Sequence, residues 1–234
     1  MEKENKMIET EKITEIAERF ENGRPEDIIS WAAGTFGQGI SFACSFGLED
    51  VCIIDMIART APDTPVFYLD TSLFFRETYE LIKKLEDRYG KRFERVTAEY
   101  TLEQQASRHG DSLWTENPDL CCTIRKVAPL KKKLSTLNAW MTGIRRDQTP
   151  VRANAKTVER DEKFNLVKIN QLVTWTSGDV RDYVTKHGVP YNPLHDQGYP
   201  SIGCLPCTFA VKPGEDPRSG RWKGFAKTEC GLHK

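Results

Sequence analysis

The 234-residue sequence has no surplus charge: 34 Lys and Arg balance 34 Asp and Glu. A nucleic-acid binder that relies on bulk positive charge is thereby disfavoured. It has no run of roughly 18 apolar residues, so no membrane partner is expected. The opening MEKENKMIETEK lacks the apolar stretch of a secretory signal, so a cytoplasmic chain is expected. There is no Gly-Lys-Ser/Thr phosphate loop, no internal repeat and no low-complexity segment. What the chain does carry is seven cysteines: Cys44, Cys52, Cys121, Cys122, Cys204, Cys207 and Cys230. In a reducing compartment such a set points to metal or thiol chemistry rather than to a disulfide framework.

Charge is balanced overall but not locally. Residues 1–120 hold 14 basic and 24 acidic side chains, whereas 121–160 hold 10 and 2. Residues 212–234 are also net positive. Both positive segments contain cysteines, and a positive field lowers thiol pKa and attracts anions. Lys131, Lys132 and Lys133 read more simply as a solvated helix face.

Hydrophobic spacing predicts helices over 8–22 (Ile8, Ile13, Ile16, Phe20), 26–35, 49–59, 74–89 and 177–186, the last with Ser177 as N-cap. Short apolar runs predict strands at 40–45, 65–70, 92–96, 139–143 and 164–169. Strands alternating with helices imply an α/β fold: a Rossmann-like parallel sheet flanked by helices. Ligands of such sheets bind at the carboxyl ends of the strands. Those ends are Cys44–Gly47, Leu69–Ser72 and Gly143–Arg146. After Gly188 the pattern becomes an ordered, irregular loop. The sequence divides into a single domain over 1–211 and a mobile tail over 212–234, which has few apolar anchors.

Ser45-Phe-Gly-Leu-Glu-Asp50 lies where a strand turns into a helix. A helix N-terminus binds anions, and Gly47 allows close approach. The acidic pair Glu49–Asp50 argues against gripping a triphosphate, and an adenosine with one phosphate fits better. A plain strand–helix turn is the competing reading.

Cys121–Cys122 and Cys204-Leu-Pro-Cys207 are the sharpest features. Adjacent cysteines rarely bridge each other but can ligate neighbouring irons of one cluster. Four thiolates therefore suggest a [4Fe–4S] cluster first and zinc second. Arg125 and Lys126 would offset the cluster's negative charge. Cys230, in GluCysGlyLeuHis at 229–233, has cations nearby that favour the attacking thiolate. Cys44 and Cys52 read as buried structural thiols.

These residues are familiar as a set. SerPheGlyLeuGluAsp at 45–50, LeuAspThr at 69–71, CysCysXaaXaaArgLys at 121–126 and GlyIleArgArgAspGln at 143–148 belong to it. So do the CxxC-containing stretch at 192–208, ArgSerGlyArgTrp at 218–222 and GluCysGlyLeuHis at 229–233. Together they resemble the assimilatory adenylyl-sulfate reductases of the iron–sulfur, thioredoxin-using type. The resemblance runs from about residue 40 to the C-terminus.

It implies reduction of adenosine 5′-phosphosulfate to sulfite and AMP, with thioredoxin as a transient donor. Cys230 would be the nucleophile and form an S-sulfocysteine. Cys121, Cys122, Cys204 and Cys207 would hold the cluster. Lys126, Arg218, Arg221 and His233 would surround the phosphosulfate, and Ser45, Gly47, Leu69, Gly143 and Arg152 would line the nucleotide pocket. The sister substrate, 3′-phosphoadenosine 5′-phosphosulfate, is the leading alternative, disfavoured because all four cluster positions are occupied, and use of both nucleotides is left open. A tRNA sulfur-inserting enzyme and a cluster-bearing redox sensor are more distant alternatives. Homo-oligomerisation is left open by the sequence.

Overall fold

The computed structural model describes residues 10–227 and 229–232. Two helices come first, α1 (Thr10–Phe20) and α2 (Pro25–Phe36). Residues 8 and 9 of the first predicted helix lie outside the described residues. Then follow β1 (Ile40–Cys44), α3 (Leu48–Thr60), β2 (Val66–Asp70), α4 (Arg76–Tyr89) and β3 (Glu94–Thr97). A helical stretch carries α5 (Leu102–His109), α6 (Leu113–Glu116), α7 (Pro118–Cys122) and α8 (Ala128–Leu134). The chain then returns to the sheet through β4 (Ala139–Met141), β5 (Val158–Asp161) and β6 (Leu166–Ile169), and closes with α9 (Ser177–His187).

The strand order is β3-β2-β1-β4-β6-β5. Every pairing is parallel except β5 with β6. The antiparallel β5 is absent from the sequence expectation for a physical reason. Among its residues Val158, Glu159, Arg160 and Asp161, only Val158 is buried, so no apolar run announces it. It forms a hairpin with β6 through Asn165, which sits at φ 56.

The chain winds outward from β1 in both directions, to β2 and to β4. That reversal makes the crevice beyond the carboxyl ends of β1 and β4 the topological switch point, where ligands of such sheets bind. The core explains the rigidity of this region. In α3, residues 50 to 57 are all buried, including Val51, Ile53, Ile54, Met56 and Ile57. A helix buried on nearly all sides lies in the middle of a layered fold rather than on its surface. A smaller apolar cluster of Phe67, Leu130, Leu134, Trp140 and Leu166 lies apart from the main core.

Helix α9 is capped by Thr176 rather than Ser177. The Thr176 hydroxyl accepts from the Asp179 amide, and Asp179 accepts in return from the Thr176 amide at 2.7 Å, a capping box one residue earlier than expected. Among the described residues no helix is long and apolar enough to cross a membrane.

Candidate active site

The nucleotide end of the sheet is built around Asp50, in the first turn of α3. Its Oδ2 accepts from the Ser45 amide at 2.5 Å and from the Ser45 hydroxyl at 2.7 Å. Gly143, just beyond β4, gives this carboxylate its space: a Cβ there would lie 2.0 Å from Asp50 Oδ1. Ser45, Gly47 and Gly143 are therefore brought together at the switch point. Burial raises the Asp50 carboxyl to about 6, against the opposing pull of the Ser45 hydrogen bonds. The turn itself holds Phe46 at φ 62. That conformation is held by the buried ring, which packs against Tyr68 at 5.3 Å, and by the Phe46 amide donating to Cys44 Sγ at 3.3 Å. Cys44 and Cys52 are buried in the core. Leu69, at the carboxyl end of β2, is partly buried and packs against the smaller apolar cluster.

The four cysteines of the two pairs meet around one cavity. It is lined by Cys121, Cys122, Cys204 and Cys207 together with Thr71, Arg125, Lys126 and Trp222. Helix α7 delivers the first pair, and the chain continues into a wide π-turn over Thr123–Val127 before α8. The second pair is anchored to the end of the sheet. Leu205 N donates to Leu73 O at 2.7 Å, and Thr71 Oγ1 lies 3.3 Å from Cys204 Sγ.

Arg125 stands behind the thiols at 3% exposure. Its Nε donates to Thr71 O at 2.5 Å and its Nη1 to Gln105 Oε1 at 3.1 Å. All its described hydrogen-bond acceptors are neutral. Burial raises Cys121 to about 12, with repulsion from Cys122, Cys204 and Cys207 adding to it and Arg125 opposing. Burial pulls the Lys126 ammonium down, but the surrounding Cys204, Cys230 and Cys122 thiols outweigh it and leave the pKa raised.

Among the described residues no three His, Cys, Asp or Glu side chains converge on one point that would hold a single metal ion. The thiols line a cavity instead. Four thiols on one lining are the donor set that an iron–sulfur group takes.

The described part of the segment expected to be a mobile tail is seated against this cavity. Thr208 and Arg221 form a bridge, and the Trp222 amide donates to Cys207 O at 3.0 Å. The Trp222 ring is 3% exposed and lines the cavity. Arg221 lies 4.5 Å from the centre of that ring. Gly203 leaves room for the Arg221 guanidinium, since a Cβ at 203 would lie 2.2 Å from Arg221 Nη2. Cys230 is half-buried and lies within electrostatic range of Lys126, Cys122 and Arg218. Arg152 and Arg218 both meet the Glu229 carboxylate.

The structure thus gathers Lys126, Arg221 and Cys230 beside the four cysteines, with Arg152 and Arg218 adjoining through Glu229. His233 lies outside the described residues. Glu229, Trp222 and Thr71 belong to the recognised motifs, yet the sequence gives them no role. Their signal is burial, which appears only once the chain is folded.

Residues 39–210 match the phosphoadenosine phosphosulfate reductase domain. The adenosine 5′-phosphosulfate reductase of Halalkalibacterium halodurans is 48% identical over 223 residues, covering 95% of this chain and 96% of the relative. Adenosine 5′-phosphosulfate reductase 1 of Bacillus subtilis is 49% identical over 208 residues, covering 88% and 89%. The crystal structure of phosphoadenylyl-sulfate reductase from Candida auris superposes with a TM-score of 0.77 at 32% identity, covering 87% of this chain and 98% of that one. With a domain match spanning most of its length and relatives of near-equal extent, this chain belongs to the phosphoadenosine phosphosulfate reductase domain family.

Proposed function

We propose that the protein reduces adenosine 5′-phosphosulfate to sulfite and AMP, with Cys230 as nucleophile. The observation that carries this is the seating of the Cys230 thiol beside Lys126 and the four-cysteine cavity. The names of the two bacterial relatives, at 48% and 49% identity, favour this substrate over its 3′-phosphorylated form.

The chemistry follows from the side chains. The Cys230 thiolate attacks the sulfuryl sulfur in line with the phosphate oxygen. The S–O bond breaks, AMP leaves, and the sulfur group stays on Cys230 as a thiosulfonate. A dithiol donor, proposed to be thioredoxin, then attacks Cys230 Sγ. Sulfite departs with the electron pair of the S–S bond, a mixed disulfide forms, and the donor's second thiol restores Cys230. Two thiols are oxidised and one sulfur is reduced by two electrons. Such group transfer depends chiefly on positioning and charge stabilisation. Lys126 and Arg221, which pair with no carboxylate among the described residues, are placed to receive the phosphosulfate anion.

At the crevice, the Asp50 carboxylate already occupies the Ser45 amide that a longer phosphate chain would need. That supports a nucleotide with a single phosphate next to the sugar. Cys121, Cys122, Cys204 and Cys207 are proposed to hold a [4Fe–4S] cluster, which would supply a fixed charged wall and no electrons of its own. Arg125 offsets that charge from behind, and the π-turn fixes Arg125 and Lys126 relative to the cysteines.

Mass spectrometry tests the assignment. Protein mixed with adenosine 5′-phosphosulfate, reductant withheld, should carry an added SO3 on Cys230, and Cys230→Ser should bind nucleotide without releasing sulfite. An adduct on another thiol, or none, refutes it.

A further inference from the structure

Glu229 immediately precedes the nucleophile and is 1% exposed. A buried carboxylate is tolerated only when paired. Arg152 holds it in a two-point fork, Nε to Oε1 at 3.0 Å and Nη2 to Oε2 at 2.9 Å. Arg218 Nη2 adds a contact to Oε2 at 3.3 Å, and the Thr149 hydroxyl lies 3.4 Å from Oε1. On the other side of Cys230, Gly231 O accepts from Lys163 Nζ at 2.5 Å and Leu232 packs on the smaller apolar cluster. The reactive thiol is thus pinned from both sides, and Glu229 is the buried charged pin.

We infer that Glu229 is a positioning residue with two effects. Its carboxylate seats Cys230, and it occupies Arg152 and Arg218 in the place of a nucleotide anion until nucleotide arrives. This rests on Cys230 being the nucleophile. Two guanidiniums that would attract a phosphosulfate are already engaged by one carboxylate of the tail, which offsets one of their two charges. Nucleotide entry and tail closure therefore compete for the same cations. Lys126 and Arg221 then hold the substrate, and Glu229 re-forms its pairs with Arg152 and Arg218 to return the thiol over it.

Three measurements on the full-length holoprotein test this. In Glu229→Gln, iodoacetamide should label Cys230 faster by about tenfold without nucleotide, because a charged anchor is lost. AMP should bind more tightly, since Arg152 and Arg218 are freed. The kcat for adenosine 5′-phosphosulfate should fall by about tenfold while KM does not rise, because the loss is in thiol placement. Arg152→Met should speed Cys230 labelling as Glu229→Gln does, and the double variant should add nothing further. Glu229→Asp should recover part of kcat.

Unchanged labelling, weaker AMP binding, an unchanged kcat, or additive effects of the two substitutions would each overturn the inference. Should the wild-type protein fail to reduce adenosine 5′-phosphosulfate, the function assigned to Cys230 falls. The labelling and AMP measurements would still decide whether Glu229 is the anchor.

Discussion

Replacing Gly143 by alanine perturbs the nucleotide end of the sheet at its tightest point. The new Cβ would lie 2.0 Å from Asp50 Oδ1 and 3.2 Å from Asp50 Cγ. Helix α3 has no room to retreat, because residues 50 to 57 are all buried. The Asp50 carboxylate must therefore rotate, and it loses the Ser45 amide at 2.5 Å and the Ser45 hydroxyl at 2.7 Å. A hydrogen bond to a charged group is worth about 1.5–3 kcal/mol, and partial replacement by water brings the two losses to about 3 kcal/mol in total. For a chain of this size that lowers Tm by roughly 6–12 °C. With the Ser45–Gly47 turn displaced, AMP should bind about tenfold more weakly. Thermal denaturation and titration calorimetry with AMP read both effects. In an Asp50→Ser background the shorter side chain avoids the clash, so the same alanine should cost far less. A Gly143→Ala protein with wild-type Tm and AMP affinity, or an equal cost in both backgrounds, would refute the reasoning.

Asp50 also predicts a pH dependence. Its folded-state pKa of about 6 lies above the ordinary 3.8, so the folded protein holds the proton more tightly than the unfolded chain. That contribution is complete below about pH 4 and is lost as pH rises through about 6. Denaturant unfolding at pH 5 and pH 7 should show the wild type losing about 1 kcal/mol more than Asp50→Asn over that interval, and parallel curves would exclude it. For the cysteine cavity, Cys204→Ser should lower both bound iron and visible absorbance in anaerobically purified protein. Iron content equal to wild type would remove Cys204 from the ligand set.

The parallel strands and their flanking helices are legible in the sequence because each is a contiguous apolar run or a clear helical stripe, as in 40–45 and 49–59. The stretch from α5 to α8 is not, since Pro118, Pro129 and the wide turn at Thr123–Val127 break any single period. Strand β5 escapes because its residues are mostly polar and its pairing is decided by β6. At the site, cysteine spacing shows which thiols belong together, while their grouping around one cavity depends on contacts between residues about 80 apart in the chain. Glu229 was hidden for the same reason. A glutamate in a charged tail looks solvated, and only the folded chain shows it buried between Arg152 and Arg218.

The π-turn at Thr123–Val127 sets the phase between two halves of one helical rod. Upstream, Cys121 and Cys122 face the cavity, and downstream, Leu130 and Leu134 fill the smaller apolar cluster. Removing a single residue there would tighten the coil and turn everything after it by about 100°. The leucines would then swing out of their pocket, or the thiols out of theirs. This stretch can exchange side chains, but its length is fixed by the two surfaces it must serve at once.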